Sequence, residues 1–245
     1  MAADDAGVAR RVLELIDLTL LGDDDTGDDV TALCRAALTP WGPVAAVCVW
    51  PRFVGHAVAL LSGTGIGVAA VANFPGGQDS VSRVAEQARR IVDAGASEVD
   101  VVVPWHRLRD GEHGASHELV SAVRAAVGDD IVIKAILETG ELEEPQRIRT
   151  IAHEALGGGA DMLKTSTGKT PRGASVDAAI VLLDVIVETG GVAGLKVSGG
   201  VRSVQQARAY LDEADRRLGA DWATPDTFRF GASALLEDVA VELSR

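Results

Sequence analysis

Lysine appears four times in 245 residues, against 19 arginines, and all four copies fall between positions 134 and 196. Lys134 stands in IVIKAILE, Lys164 in DMLKTST, Lys169 five residues later, and Lys196 in GLKVSGG. A chain that takes its other positive charge from arginine keeps lysine where guanidinium cannot serve. Arginine does not give up its proton, whereas a desolvated lysine beside another cation becomes a neutral amine nucleophile.

Side chains alternate along a strand. Asp100 therefore shares a face with Glu98 and Val102, Lys134 with Val132 and Glu138, Lys164 with Met162 and Ser166, and Lys196 with Ser198. Each ionisable group sits among apolar neighbours, where an unpaired charge costs several kcal/mol. One reading is a plain charge network in which Asp100 pairs with Lys134 and the other lysines find carboxylates such as Glu138. The favoured reading is a positive cluster of three cations on one aspartate, a surplus that stability does not require and that amine catalysis and anion binding do. Lys164 and Lys196, on neighbouring strands, repel each other in a setting of low dielectric. Both repulsion and desolvation favour a neutral amine that condenses with a carbonyl.

Glycines supply a second feature. STGKT (166–170), SGGV (198–201) and FGASALL (230–236) follow three successive strand-like segments, and exposed amides on such loops and helix starts bind phosphate. TSTGKT is not a nucleotide-binding P-loop, because Leu163 occupies the position of its first glycine. His113 and His117 form the one i, i+4 histidine pair, in the polar stretch GEHGASHE, and read as a solvated helix start; no metal site is expected.

The elements that position these groups alternate short β-branched or Ala/Val-rich runs with longer segments of helical period. Eight strands are expected: LIDLTL from 15, VAAVCVW from 44, GIGVAAVAN from 65, EVDVVVP from 98, IVIKAILE from 131, DMLKTST from 161, GLKVSGG from 194 and TFRFGAS from 227. VSRVAEQARRIVDAGA, PQRIRTIAHEALGGGA and VQQARAYLDEADRRLGA are intervening helices that end near glycine. Eight such units predict a closed (β/α)8 TIM barrel of the α/β class rather than a doubly wound open sheet, since no strand reads as a polar edge. An extra amphipathic N-terminal helix at 4–14 precedes the first strand and is expected to cap the barrel's bottom. The whole chain, 1–245, is expected to be a single domain.

A net charge of -13 argues against nucleic acid or an anionic membrane as partner. Cys34 and Cys48 offer neither a metal spacing nor a disulfide framework and read as reduced core residues. With neither a signal peptide nor a long apolar run, the expected location is the cytoplasm. The acidic stretch GDDDTGDD (22–29) reads as a solvated loop and helix cap.

The segments LIDLTLL, VCVWPRF, NFPGG, EVDVVVP, KAILETGEL, GADMLKTSTGK, GLKVSGGVR and FRFGAS occur in this order along nearly the whole chain. In them the chain resembles the deoxyribose-phosphate aldolase family of class I, Schiff-base aldolases. The resemblance implies reversible cleavage of 2-deoxy-D-ribose 5-phosphate to acetaldehyde and D-glyceraldehyde 3-phosphate without metal or organic cofactor. It implies Lys164 as the Schiff-base nucleophile, with Lys196 as the neighbouring cation that serves the proton relay together with Asp100. Lys134 would hold Asp100. A homodimer is implied as well.

Asp17 and Thr19, at the mouth of the first strand, are open to two readings: positioning of sugar hydroxyls, or a structural role. Glycine placement and the resemblance converge on Gly168, Lys169, Gly199, Gly200, Gly231 and Ser233 for the phosphate. Asn73 reads equally as pocket lining or as a turn residue, and Cys48 more as core than as a thiol near substrate. Two departures stand out: no terminal tyrosine follows VELSR (241–245), and Ala234 replaces a second serine after GAS. Other sugar-phosphate aldolases, an isomerase or epimerase on the same barrel, and a non-catalytic sugar-phosphate binder are the competing readings. An isomerase predicts no trapping of Lys164, and a binder predicts no turnover.

Overall fold

A computed structural model of the chain describes residues 5–245; Asp4, the first position of the expected N-terminal segment, lies outside the described residues. Eight parallel strands form the centre: β1 (Ile16–Leu20), β2 (Ala46–Val49), β3 (Gly67–Ala72), β4 (Glu98–Val102), β5 (Val132–Ile136), β6 (Met162–Lys164), β7 (Gly194–Ser198) and β8 (Phe228–Ala232). Each pairs with the next, and β8 returns to β1 through Ile16↔Phe230, Asp17↔Gly231 and Leu18↔Ala232, so the sheet closes. The expected (β/α)8 barrel is the fold, and closure rules out the open sheet.

The covering helices are α1 (Asp5–Glu14), α2 (Gly27–Ala36), α3 (Val54–Leu61), α4 (Val81–Asp93), α5 (Trp105–Arg109), α6 (Ala115–Val127), α7 (Thr139–Leu142), α8 (Pro145–Gly157), α9 (Val176–Glu188), α10 (Val204–Leu218) and α11 (Leu235–Leu243). The extra N-terminal helix is α1, which buries Val8, Ala9, Val12 and Leu13 and packs against α10 and α11. A short hairpin of Leu38–Thr39 and Gly42–Pro43 was not expected; its two-residue arms carry too little periodicity to read. No helix among the described residues is long and apolar enough to cross a membrane.

Strand alternation divides the molecule into two environments. One set of strand residues, including Ile16, Val47, Val99, Ile133, Leu163, Leu195 and Phe230, joins the helices in the main apolar core. The other set points into the barrel. On the β2–β3 side that interior is a small apolar cluster of Leu21, Cys48, Ala69 and Val71, flanked by Trp50 and Phe74. The remainder holds the charged residues, with Val102, Ile136 and Met162 among them.

Two strands end earlier than their apolar runs. In β5 the chain leaves the ladder after Ile136, and Glu138 turns into the left-handed region at φ 53 before α7. In β6 it leaves after Lys164: Thr165 N still donates to the Lys196 carbonyl at 3.0 Å, and Thr165 Oγ1 donates to the Ser198 carbonyl at 3.1 Å. These early departures carry the following loops over the barrel's C-terminal mouth.

Candidate active site

Register fixes the charged interior. Asp100 is level with Lys134 across β4 and β5, Lys164 with Lys196 across β6 and β7, and Lys196 with Arg229 across β7 and β8. Asp100 is fully buried and carries all three lysines. Its Oδ2 accepts from Lys164 Nζ and Lys196 Nζ, each at 2.7 Å, and its Oδ1 accepts from Lys134 Nζ at 3.1 Å. Asp17 Oδ2 accepts from Lys196 at 2.5 Å and lies 3.1 Å from Lys134. Glu98 accepts from Lys134 as well.

These contacts sort the lysines. Burial, assisted by Lys196 and opposed by Asp100, pulls the Lys164 amine below the usual lysine value. Burial acts on Lys196 in the same sense, but Asp100 and Asp17 overcome it and hold that amine above the usual value. Lys134 is raised likewise against its burial, by Asp100, Asp17 and Glu98. Asp100 stays ionised: burial opposes its charge, and the three lysines outweigh burial and hold it well below the ordinary carboxylate range.

The cluster differs from the expected surplus of three cations on one aspartate. Asp17 is fully buried beneath the lysines rather than at the mouth of β1, and Arg229 and Glu98 complete the network. Neither had been singled out: Arg229 is one of 19 arginines, and Glu98 lies at the start of its strand. Their one signal in sequence was the inward parity each shares with its strand's ionisable or glycine neighbours. Glu138 does not serve the lysines either. Its carboxylate accepts from the Thr167 hydroxyl at 2.5 Å and from the Thr170 hydroxyl at 3.2 Å, tying the loop after β6 to the end of β5.

Above the cluster opens a cavity of about 470 Å³. Of the three interior lysines only Lys164 lines it. Thr19, Gly168, Lys169, Gly199, Gly200, Gly231 and Ser233 line the rest, so the cavity separates Thr19 from its neighbour Asp17. Among the described residues the backbone N–H groups of Gly168, Gly199, Gly200 and Ser233 donate to no protein acceptor. Lys169 Nζ donates to the Leu21 carbonyl at 2.7 Å. Arg202, which sequence reasoning passed over, borders the same space and pairs with no carboxylate among the described residues. Among the described residues Asp25 is the one acidic residue in the lining, and it accepts from Gly22 N at 2.6 Å. Free amides and cations gathered this way suit an oxyanion such as phosphate.

Two glycine positions show why the loops fit. A Cβ on Gly231 would stand 2.8 Å from Ser198 Cβ and 3.0 Å from Lys196 Cε, so this glycine makes room for the Lys196 side chain as well as bordering the cavity. A Cβ on Gly173 would stand 2.2 Å from the Gly199 carbonyl oxygen, where the loops after β6 and β7 meet backbone to backbone.

The other residues weighed from sequence fall elsewhere. Asn73 is a turn residue at φ 56, donating to the Val102 carbonyl at 2.8 Å and accepting from Asp79 N at 2.9 Å. Cys48 is buried in the interior apolar cluster with Sγ 3.9 Å from Asp100 Oδ2; burial first, then Asp100, push its thiol up to about 11. His113 and His117 are exposed at the start of α6. Within 22–29, Thr26 and Asp29 form the reciprocal cap of α2.

The model of the DeoC/LacD family aldolases matches residues 11–240. An apo structure from Toxoplasma gondii ME49, assigned as a deoxyribose-phosphate aldolase, is 27% identical with a TM-score of 0.89, over 98% of this chain and 97% of that one. One from Coccidioides immitis with the same assignment is 31% identical, TM-score 0.83, over 95% and 87%. A tetrameric deoxyribose phosphate aldolase from Aeropyrum pernix is 28% identical, TM-score 0.74, over 97% and 92%.

Proposed function

The chain belongs to the DeoC/LacD aldolase family, and from that premise we propose that it cleaves 2-deoxy-D-ribose 5-phosphate reversibly to acetaldehyde and D-glyceraldehyde 3-phosphate through a Schiff base on Lys164. The observation that carries the reading is the position of Lys164. It is the interior amine that reaches the cavity, it is held below the ordinary lysine value, and it stands across from a cradle of unpaired amides.

The open-chain aldehyde condenses with the neutral Lys164 amine and releases water, giving a protonated imine. That imine draws the electron pair of the C2–C3 bond as the bond breaks, so the chemistry calls for neither metal nor organic cofactor. Loss of the C3 hydroxyl proton makes C3 the aldehyde carbon and releases glyceraldehyde 3-phosphate. The enamine left on Lys164 then takes a proton at carbon, and hydrolysis of the new imine frees acetaldehyde. Asp100, 2.7 Å from the Lys164 and Lys196 amines, is the relay for these transfers, acting with Lys196 and an intervening water. Lys134 keeps Asp100 in place. Gly168, Lys169, Gly199, Gly200, Gly231 and Ser233 receive the phosphate, with Arg202 beside them, and Thr19 faces the sugar hydroxyls. The proposed assembly is a homodimer, to be checked by light scattering.

Borohydride reduction in the presence of acetaldehyde, followed by peptide mass spectrometry, tests the assignment. The expected product is a two-carbon adduct on Lys164 alone. Labelling on Lys134 or Lys196 instead would overturn it.

A further inference from the structure

The proposed reaction asks one lysine to be neutral while two neighbours stay charged, and the closed end of the barrel suggests why. Arg229, on β8, is 5% exposed and lies outside the cavity lining. It donates from Nη1 to Asp17 Oδ1 at 2.5 Å, from Nη2 to Glu98 Oε1 at 3.0 Å, and from Nε to the Pro225 carbonyl. Asp17 and Glu98 are the same carboxylates that Lys134 and Lys196 draw on.

Seven groups therefore form one alternating chain. Arg229 is at its closed end, Asp17 and Glu98 follow, Lys134 and Lys196 come next, then Asp100, with Lys164 at the open end. Among the described residues Lys134 touches three carboxylates, Lys196 and Arg229 two each, and Lys164 only Asp100. Four cations thus face three anions. With Lys164 neutral, the count is three against three.

We propose that Arg229 is a positioning residue for the amine chemistry: by occupying Asp17 and Glu98 with a charge that cannot be removed, it leaves the interior one carboxylate short and makes Lys164 the cation in excess. The inference rests on Lys164 being the Schiff-base lysine. A guanidinium is suited to the task because it stays protonated at every accessible pH, whereas a lysine there could itself relieve the excess. Every other group facing Lys164 is accounted for. Asp100 comes from β4, Lys134 from β5, Lys196 from β7 and the Cys48 thiol from β2, while Lys169, Asp25 and Arg202 border the cavity. Glu138 is engaged by Thr167 and Thr170. Without Arg229 a charged Lys164 would balance the remaining groups, and the amine would keep its proton to higher pH.

The test is the pH dependence of reductive trapping of acetaldehyde on Lys164, read by peptide mass spectrometry and accompanied by melting temperatures. The wild type is compared with Arg229→Met, Arg229→Lys and the double variant Arg229→Met with Glu98→Gln. Arg229→Met is expected to move the midpoint of trapping up by about one pH unit, making trapping near pH 7 about tenfold slower while alkaline rates recover. Arg229→Lys, whose own amine can give up the excess proton, should move the midpoint in the same direction but by less. The double variant, which removes one charge of each sign, should return the midpoint toward wild type, and it decides the matter if the single variant does not fold.

A folded Arg229→Met protein with an unmoved midpoint would overturn the inference. So would equal loss at every pH, or a double variant no closer to wild type than the single. A wild type that gains no label on Lys164 would instead remove the Schiff-base reading itself, an outcome distinct from the others.

Discussion

Lys164 and Lys196 share a single oxygen atom. Both amines donate to Asp100 Oδ2 at 2.7 Å, yet one is held below and the other above the ordinary lysine value. The difference is Asp17, which reaches Lys196 and not Lys164. Repulsion between the two amines is therefore resolved in one direction, and the lysine with the poorer set of carboxylates faces the cavity.

Replacing Lys196 by Met should raise the pH at which Lys164 becomes reactive, because the neighbouring cation is gone and Asp100 is freed to hold Lys164 more strongly. In the proposed reaction the neutral amine is the nucleophile, so the acid limb of the kcat/KM profile should move to higher pH, by about one unit. Activity near pH 7 should fall at least about tenfold. A pH profile of aldol cleavage checks this; an unmoved acid limb contradicts the sorting by Asp17.

Asp17 and Asp100 are both held below the ordinary value of 3.8, against their burial, by the surrounding lysines and, for Asp17, by Arg229. The unfolded chain takes up protons at these positions before the folded one does. Their stabilisation is therefore complete above about pH 4 and is lost as pH falls further toward their folded values. Urea unfolding followed from neutral pH to about pH 3 should show a steep loss at the acid end. Asp100→Asn should flatten that slope while lowering stability at neutral pH by about 3–5 kcal/mol, since it leaves buried ammonium groups without their carboxylate.

Glu138 is expected to act on substrate binding through the loop it holds. Its contacts to Thr167 and Thr170 bracket Gly168 and Lys169. Glu138→Ala should raise KM for the phosphorylated sugar by about tenfold or more, while acetaldehyde, which has no phosphate, still traps on Lys164 at near the parental rate. Parallel loss of both would mean that Glu138 serves the fold at large.

Most of the barrel was legible because its strands are short apolar runs with one-residue parity, and parity alone placed Asp100, Lys134, Lys164 and Lys196 in a common interior. The glycine loops were legible for a related reason, since glycine after a strand leaves amides without side-chain cover. What sequence hid was the second set of carboxylates and the fourth cation. Asp17, Glu98 and Arg229 are contributed by β1, β4 and β8, and which carboxylate meets which cation depends on how the barrel staggers as it closes, a relation with no trace in any single segment. Glu138 misled for a different reason. It follows Lys134 by four residues, but the chain leaves the ladder after Ile136 and carries its carboxylate to another loop.

The contact between Gly173 and the Gly199 carbonyl bears on how readily this barrel could acquire new substrates. Two loops that meet without intervening side chains have no slack, so a larger residue at either glycine would pry them apart instead of reshaping the space they border. Variation that reshapes the cavity has more freedom at Ser233 and Arg202, where a side chain can change size or charge and leave the two abutting loops in place.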